Sequence, residues 1–158
     1  MRTVAFINLK GGTGKTVSAA NFAHILAAVH HKRVLLVDAD KQGSASRYFS
    51  VYGEHDGTAA LLLADALDTE DVERVIYRTG YAGLDIITSN LDLYAADRAL
   101  FDSKDKDTAR ELFSALDWVR NDYDFCIIDN GPSVDTVTLN VLTAADDVLI
   151  PIRPDEFS

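Results

Sequence analysis

The 158-residue sequence predicts an α/β domain: a doubly wound parallel sheet of at least five strands with helices on both faces. Three observations carry that expectation. Short apolar runs alternate with stretches of helical spacing, which implies right-handed crossovers and parallel strands. Two of the runs, Val34-Leu35-Leu36-Val37 and Phe125-Cys126-Ile127-Ile128, are continuously apolar, as strands covered on both faces are. A glycine-rich segment follows the first run and aspartates close two others, which gathers polar groups at the carboxyl edge where such sheets bind ligands.

The first strand is Val4-Ala5-Phe6-Ile7, and Ala19, Phe22, Ala23, Leu26 and Ala27 recur after it at helical spacing. Between them lies Leu9-Lys10-Gly11-Gly12-Thr13-Gly14-Lys15-Thr16, which reads as a phosphate cradle. Glycines let backbone N–H groups close around phosphate oxygens, and the start of the next helix adds unpaired N–H groups and the positive end of its dipole. Lys15 would reach the β- and γ-phosphates and Thr16 would ligate Mg²⁺. The common pattern G-x-x-x-x-G-K-[ST] asks for glycine where Leu9 stands, so the match is a variant with Lys10 before the double glycine. The dinucleotide fingerprint fits worse, because Gly12-Thr13-Gly14-Lys15-Thr16-Val17 lacks its third small residue.

The second strand, 34–37, ends in Asp38-Ala39-Asp40, and 41–44 reads as a loop before a short helix over 45–52 capped by Ser44. Residues 53–57 form another loop. Over 58–77 the apolar spacing predicts one or two helices broken near Asp68-Thr69. Gly80 and Gly83 turn the chain into the third strand, Leu84-Asp85-Ile86-Ile87, after which Ser89-Asn90 caps a helix running to about Phe101. Residues 103–107 form a charged loop. From Thr108, the residues Ala109, Leu112, Phe113, Leu116 and Val119 mark an amphipathic helix, with Trp118 off its stripe. The fourth strand, 125–128, ends at Asp129; a helix over 135–145 leads to a fifth strand, Val148-Leu149-Ile150.

A magnesium-bound nucleoside triphosphate needs carboxylates around its metal. Asp129, after an apolar strand and before the Gly131-Pro132 turn, has that form. Asp38 and Asp40 stand two apart at a strand end, so their side chains begin on one face; one can contact the metal shell while the other orients water.

Composition narrows the function further. The net charge of −10, without a basic stripe, opposes binding to nucleic acid or to an anionic membrane. A single cysteine, Cys126, lies inside an apolar run and reads as core. No apolar run approaches the roughly 20 residues of a membrane span, and no signal-peptide core opens the chain, so the expected location is the cytoplasm. His24, His30, His31 and His55 lack metal-ligand spacing, and the acidic run Asp65, Asp68, Glu70, Asp71, Glu73 reads as a solvated face.

The motif K-G-G-x-G-K-[ST] at Lys10 to Thr16 and V-D-x-D-x-Q-G at Val37 to Gly43 resemble those of the ParA/MinD group of P-loop ATPases, and specifically its ParA/Soj partition branch. The resemblance extends through 87–93, Asp129 to Ser133, and 148–157, where the fifth strand runs into a P-x-x-P-x-x-F-like end. It implies a Mg²⁺-dependent ATPase, cycling between ATP and ADP, that dimerises on binding ATP and works in plasmid or chromosome partition with a DNA-binding adaptor of the ParB type. On this pattern Lys10 reaches the partner subunit's nucleotide, residues 11–17 hold the nucleotide, Thr16, Asp38 and Asp129 support the metal, and Asp40 orients the attacking water. Lys10, Lys15 and Asp40 are thus the expected catalytic set. Departures are Leu9, where glutamine is frequent; Val17, where a second threonine is common; Lys41, where proline usually follows the second aspartate; and Asn130-Gly131, where Cys-Pro or similar precedes Pro132. Because family members run longer, residues 1–158 read as an amino-terminal portion or truncated homologue. Further strands, much of the adenine pocket and a basic DNA-binding patch are then expected outside it, leaving the sheet incomplete at its carboxyl end. Two other expectations stay open: a nucleotide-binding regulatory module without turnover, and a P-loop kinase or synthetase acting on a small molecule.

Overall fold

The computed structural model describes residues 1–53, 57–64, 67–103 and 108–154. His55, Asp65, Ala66, the charged loop at 104–107 and Phe157 lie outside the described residues. The strands are β1 (Arg2–Phe6), β2 (Val34–Ala39), β3 (Ile76–Arg78), β4 (Leu84–Ile87), β5 (Phe125–Asn130) and β6 (Asp147–Leu149). They form one sheet in the order β3-β4-β2-β5-β1-β6. All neighbours pair in parallel except β3 and β4.

Alternate residues of each central strand enter opposite cores, because successive side chains of a strand point to opposite faces. Val34 and Leu36, with Val4, Phe6, Ile86 and Ile127, pack beneath α1 (Lys15–Ala28) and the start of α2 (Ser44–Tyr48). Leu35 and Val37, with Ala5, Ile87, Cys126 and Ile128, pack against α3 (Thr58–Leu63), α4 (Thr69–Arg74), α5 (Asp92–Asp102), α6 (Glu111–Trp118) and α7 (Thr136–Ala144). Every residue of β2 is buried, which is why its run is continuously apolar. The Cys126 thiol lies in this core, and burial pushes its pKa up.

Several boundaries differ from the sequence expectation. Residues 76 and 77, assigned there to a helix, belong to β3 with Arg78. The helix ends at Arg74, and Ile76 and Tyr77, good strand residues, pair antiparallel with Ile87 and Ile86 across the free edge of β4. The break near Asp68 is a helix start: Asp68 and Asp71 form a reciprocal capping box opening α4. Helix α2 stops at Tyr48, and its cap position is Gly43 instead of Ser44. Gly43 has φ +62°, and a Cβ there would lie 2.5 Å from the Tyr52 ring and 2.6 Å from the Ser89 carbonyl, so neither backbone nor space admits a side chain. Ahead of α5, Asn90 accepts a bond from the Asp92 amide at 2.8 Å, while Ser89 is buried and makes no cap. Helix α6 begins at Glu111 rather than Thr108, and buries Leu112, Ala115 and Leu116, leaving Phe113 at the rim. Asn140 of α7 holds this junction, accepting from the Leu112 amide at 3.1 Å and donating to the Thr108 carbonyl at 2.5 Å. The last strand is 147–149, one residue earlier than expected, because it pairs with β1 in the register Val4 to Asp147. Among the described residues no helix is long and apolar enough to cross a membrane.

Candidate functional site

The loop between β1 and α1 is built by its own polar atoms. Asn8 donates to the Pro151 carbonyl at 2.8 Å and accepts from the Lys10 amide at 2.9 Å, which anchors the loop's entry to the chain beyond β6. Gly12 and Gly14 take φ values of +74° and +87°, conformations that side chains other than glycine rarely adopt. Apart from its own chain neighbours, no heavy atom of the described residues lies within 4 Å of a Cβ built on Gly11 or Gly12, so the loop is open where those side chains would stand. The buried Lys15 curls back and donates to the Lys10 carbonyl at 3.1 Å, and the Thr13 hydroxyl points to that same oxygen at 3.4 Å. Helix α1 starts at Lys15 with no side chain capping it, so no cap side chain takes up its first-turn amides. Thr16 is half-buried on this turn, whereas Val17 faces outward and is exposed.

The sheet register sets the carboxylates. Asp38 is paired with Asp129 across β2 and β5, and Asp129 with Phe6 across β5 and β1. Both aspartates are the penultimate residues of their strands, inside the sheet rather than beyond it as the sequence reading had them. Burial raises the Asp129 pKa to about 7, helped by the nearby charges of Asp38 and Asp40 and opposed by the Thr16 hydroxyl and the Lys15 ammonium. Thr16, Lys15, Asp38, Asp40 and Asp129 therefore share one electrostatic site. Both Asp129 carboxylate oxygens are buried without a hydrogen-bond partner of good geometry among the described residues. An orphaned buried carboxylate beside a threonine hydroxyl and an open glycine loop fits a hydrated divalent cation carried by a nucleotide. The donor set is all oxygen, as magnesium prefers.

Asp38 is differently placed. Its Oδ2 accepts from both the amide and the hydroxyl of Ser46, each at 2.7 Å, and its Oδ1 accepts from the Asp40 amide at 3.1 Å. Burial raises its pKa to about 6, against these donated bonds. Asp40 begins the next turn: its carboxylate accepts from the Gln42 amide at 3.0 Å and the Ser44 hydroxyl at 2.9 Å. It also lies against Gly131, where a Cβ would come within 3.2 Å of Asp40 Oδ1. Lys41 donates to Asp97 of α5 at 2.8 Å and to Asp135, the cap of α7, at 2.7 Å.

Sequence reasoning missed Ser46, Asp97 and the pairing of Lys41. The only local signal is the spacing Asp38 to Ser46, a small hydroxyl at the start of a short helix; Asp97 comes from a remote helix and carries none. Among the described residues no group of three histidine, cysteine or acidic side chains is gathered to hold a metal, and His24 packs edge-on against Tyr81 at 4.5 Å.

Comparison with known proteins places the chain. A family model described as an AAA domain matches residues 1–158, and the chain belongs to that family. It is 36% identical over 158 residues to the sporulation initiation inhibitor protein Soj of Bacillus subtilis, covering 99% of this chain and 60% of Soj. Cobyrinic acid a,c-diamide synthase of Mycobacterium smegmatis, solved with an ATP analogue and magnesium, superposes with TM-score 0.83 at 33% identity, over 96% of this chain and 60% of the synthase. A plasmid partition protein from Borrelia burgdorferi superposes with TM-score 0.84 at 26% identity, over 99% of this chain and 68% of that one. The chain spans 40% to 60% of the length of the curated relatives it matches.

Proposed function

We propose that this member of the AAA-domain family, a ParA/Soj homologue along its whole length, binds Mg·ATP and hydrolyses it as a nucleotide-switched dimer in DNA partition. Asp129 carries the reading: a buried carboxylate with no well-aligned hydrogen-bond partner among the described residues, its pKa raised to about 7, beside Thr16 and Lys15 at the glycine loop. The Thr16 hydroxyl reaches it only weakly, and a hydrated divalent cation would satisfy it.

In this reading the loop amides of 11–14 and the first turn of α1 take the phosphates, and Lys15 exchanges the Lys10 carbonyl for phosphate oxygens. Thr16, Asp38 and Asp129 would hold the magnesium, which would neutralise the triphosphate charge when bound. Asp40 orients the attacking water, and phosphoryl transfer then depends on its position more than on proton removal. Lys10 reaches the nucleotide of a second subunit. The remaining parts of the proposal are a DNA-binding adaptor of the ParB type, a cytoplasmic location on the nucleoid, and DNA contact through segments other than these acidic 158 residues.

A substitution at Asp40 tests the hydrolytic half. Asp40→Ala is expected to keep Mg·ATP affinity, lose turnover and accumulate an ATP-bound dimer by light scattering, and Lys10→Ala in that background returns it to monomer. Normal phosphate release from Asp40→Ala removes the water-orienting role from that residue. The match to the cobyrinic acid synthase favours a second reading, a synthetase acting on a small carboxylic acid. Phosphate release that requires such an acid and is unaffected by DNA and adaptor supports that reading over the first.

A further inference from the structure

We propose that Lys41 is a positioning residue for hydrolysis: its ion pairs with Asp97 and Asp135 fasten the loop carrying Asp40 to the amino terminus of α7, and so set where the Asp40 carboxylate stands. This rests on Asp40 being the water-orienting group.

The three side chains form one largely buried cluster, with Lys41, Asp97 and Asp135 only 15%, 20% and 13% exposed. Each aspartate does two jobs. Asp97 Oδ2 accepts from Lys41 while its Oδ1 accepts from the Thr136 and Val137 amides at 2.9 and 3.3 Å. Asp135 Oδ2 accepts from Lys41 and from the Ser133 hydroxyl, and its Oδ1 accepts from the Thr138 amide at 2.9 Å. The ammonium also lies 5.1 Å from the centre of the Tyr94 ring. Lys41 thus grips the two carboxylates that cap α7, and its charge keeps those like-charged groups together.

The backbone beside Lys41 carries Asp40, which runs close to Gly131 in the connection leading to α7: a Cβ there would lie 3.2 Å from Asp40 Oδ1. The Lys41 ion pairs, direct to Asp135 and through Asp97 to the Thr136 and Val137 amides, therefore hold the loop after β2 against the start of α7. Displacement of a positioned catalytic group by about 1 Å costs up to about 100-fold in rate.

The test uses the full native chain with Lys41→Met, which keeps the stem and removes the charge. Expected is a fall in kcat for ATP of about 10- to 100-fold with KM changed less than about threefold, and partial recovery in Lys41→Arg. In single turnovers, Lys41→Met added to Asp40→Ala is expected to slow the residual rate less than about twofold, since Lys41 acts through Asp40. An equal loss in both backgrounds, or an unchanged kcat in Lys41→Met, overturns the proposal. Amide exchange gives an arm free of turnover: residues 42–44 and 136–138 should lose protection together in Lys41→Met, and unchanged exchange in either segment also overturns it. Should Asp40→Ala itself turn over normally, the hydrolytic reading of Asp40 fails and the positioning role falls with it. The exchange data then separately report whether the two segments are fastened.

Discussion

Ser46 serves Asp38 twice, giving its amide and its hydroxyl to the same carboxylate oxygen at 2.7 Å, and the hydroxyl in turn accepts from the Ser89 amide at 2.8 Å. One buried side chain therefore ties the ends of β2 and β4 to the start of α2. Ser46→Ala leaves Ser89 without its acceptor and Asp38 with one donor fewer in a dry site. A loss of about 1–3 kcal/mol is expected, read from the urea midpoint at constant m-value. It should also raise the Asp38 pKa further, because a bond favouring the charged form is gone. A midpoint equal to wild type assigns the Asp38 site a lesser structural part.

For Asp129, burial raises the native pKa to about 7 from the usual 3.8, which corresponds to roughly 4 kcal/mol against the ionised form. A raised native pKa makes the contribution to stability fully present below about pH 3.8 and lost as pH rises through 7, because the folded state binds the extra proton. Asp129→Asn removes this loss but leaves an unpaired amide that costs about 1–3 kcal/mol. The variant without nucleotide should therefore gain stability relative to wild type as pH rises from 5 to 8, ending about 1–3 kcal/mol ahead, while losing the magnesium dependence of ATP binding. A stability difference flat with pH sinks the assignment of the raised pKa to this group.

Lys15 donates to the Lys10 carbonyl, a single bond whose loss costs the protein without nucleotide about 1 kcal/mol. Saturating Mg·ATP, at about 100 times its Kd, stabilises a binding-competent protein by about 2.7 kcal/mol. Lys15→Ala should melt close to wild type alone and show no thermal protection by Mg·ATP. Equal protection in both proteins takes the phosphate away from this loop.

Local chemistry explains which parts were legible beforehand. The glycine loop is readable because Gly12 and Gly14 occupy backbone conformations that few other residues tolerate, and Lys15 and Thr16 follow at fixed positions on the first helical turn. The covered strands are readable because β2 and β5 lie between neighbours and under helices, which demands unbroken apolar runs. Ile76 to Arg78 were not, since three residues after a short helix carry no periodicity and become a strand only because β4 offers them an edge.

Residues close along the chain suffice to read the layered α/β architecture, the glycine loop and the aspartates at the strand ends. The surroundings of those aspartates come from segments far apart in the chain. Pairing of β2 with β5 sets Asp38 beside Asp129; packing then gives Asp38 the Ser46 donors and leaves Asp129 without a well-aligned one among the described residues, and α5 brings Asp97 to Lys41 from 56 residues away. Hydrogen-bond partners and burial are properties of neighbours in space, and these neighbours are supplied by chain segments too distant for any local pattern to record.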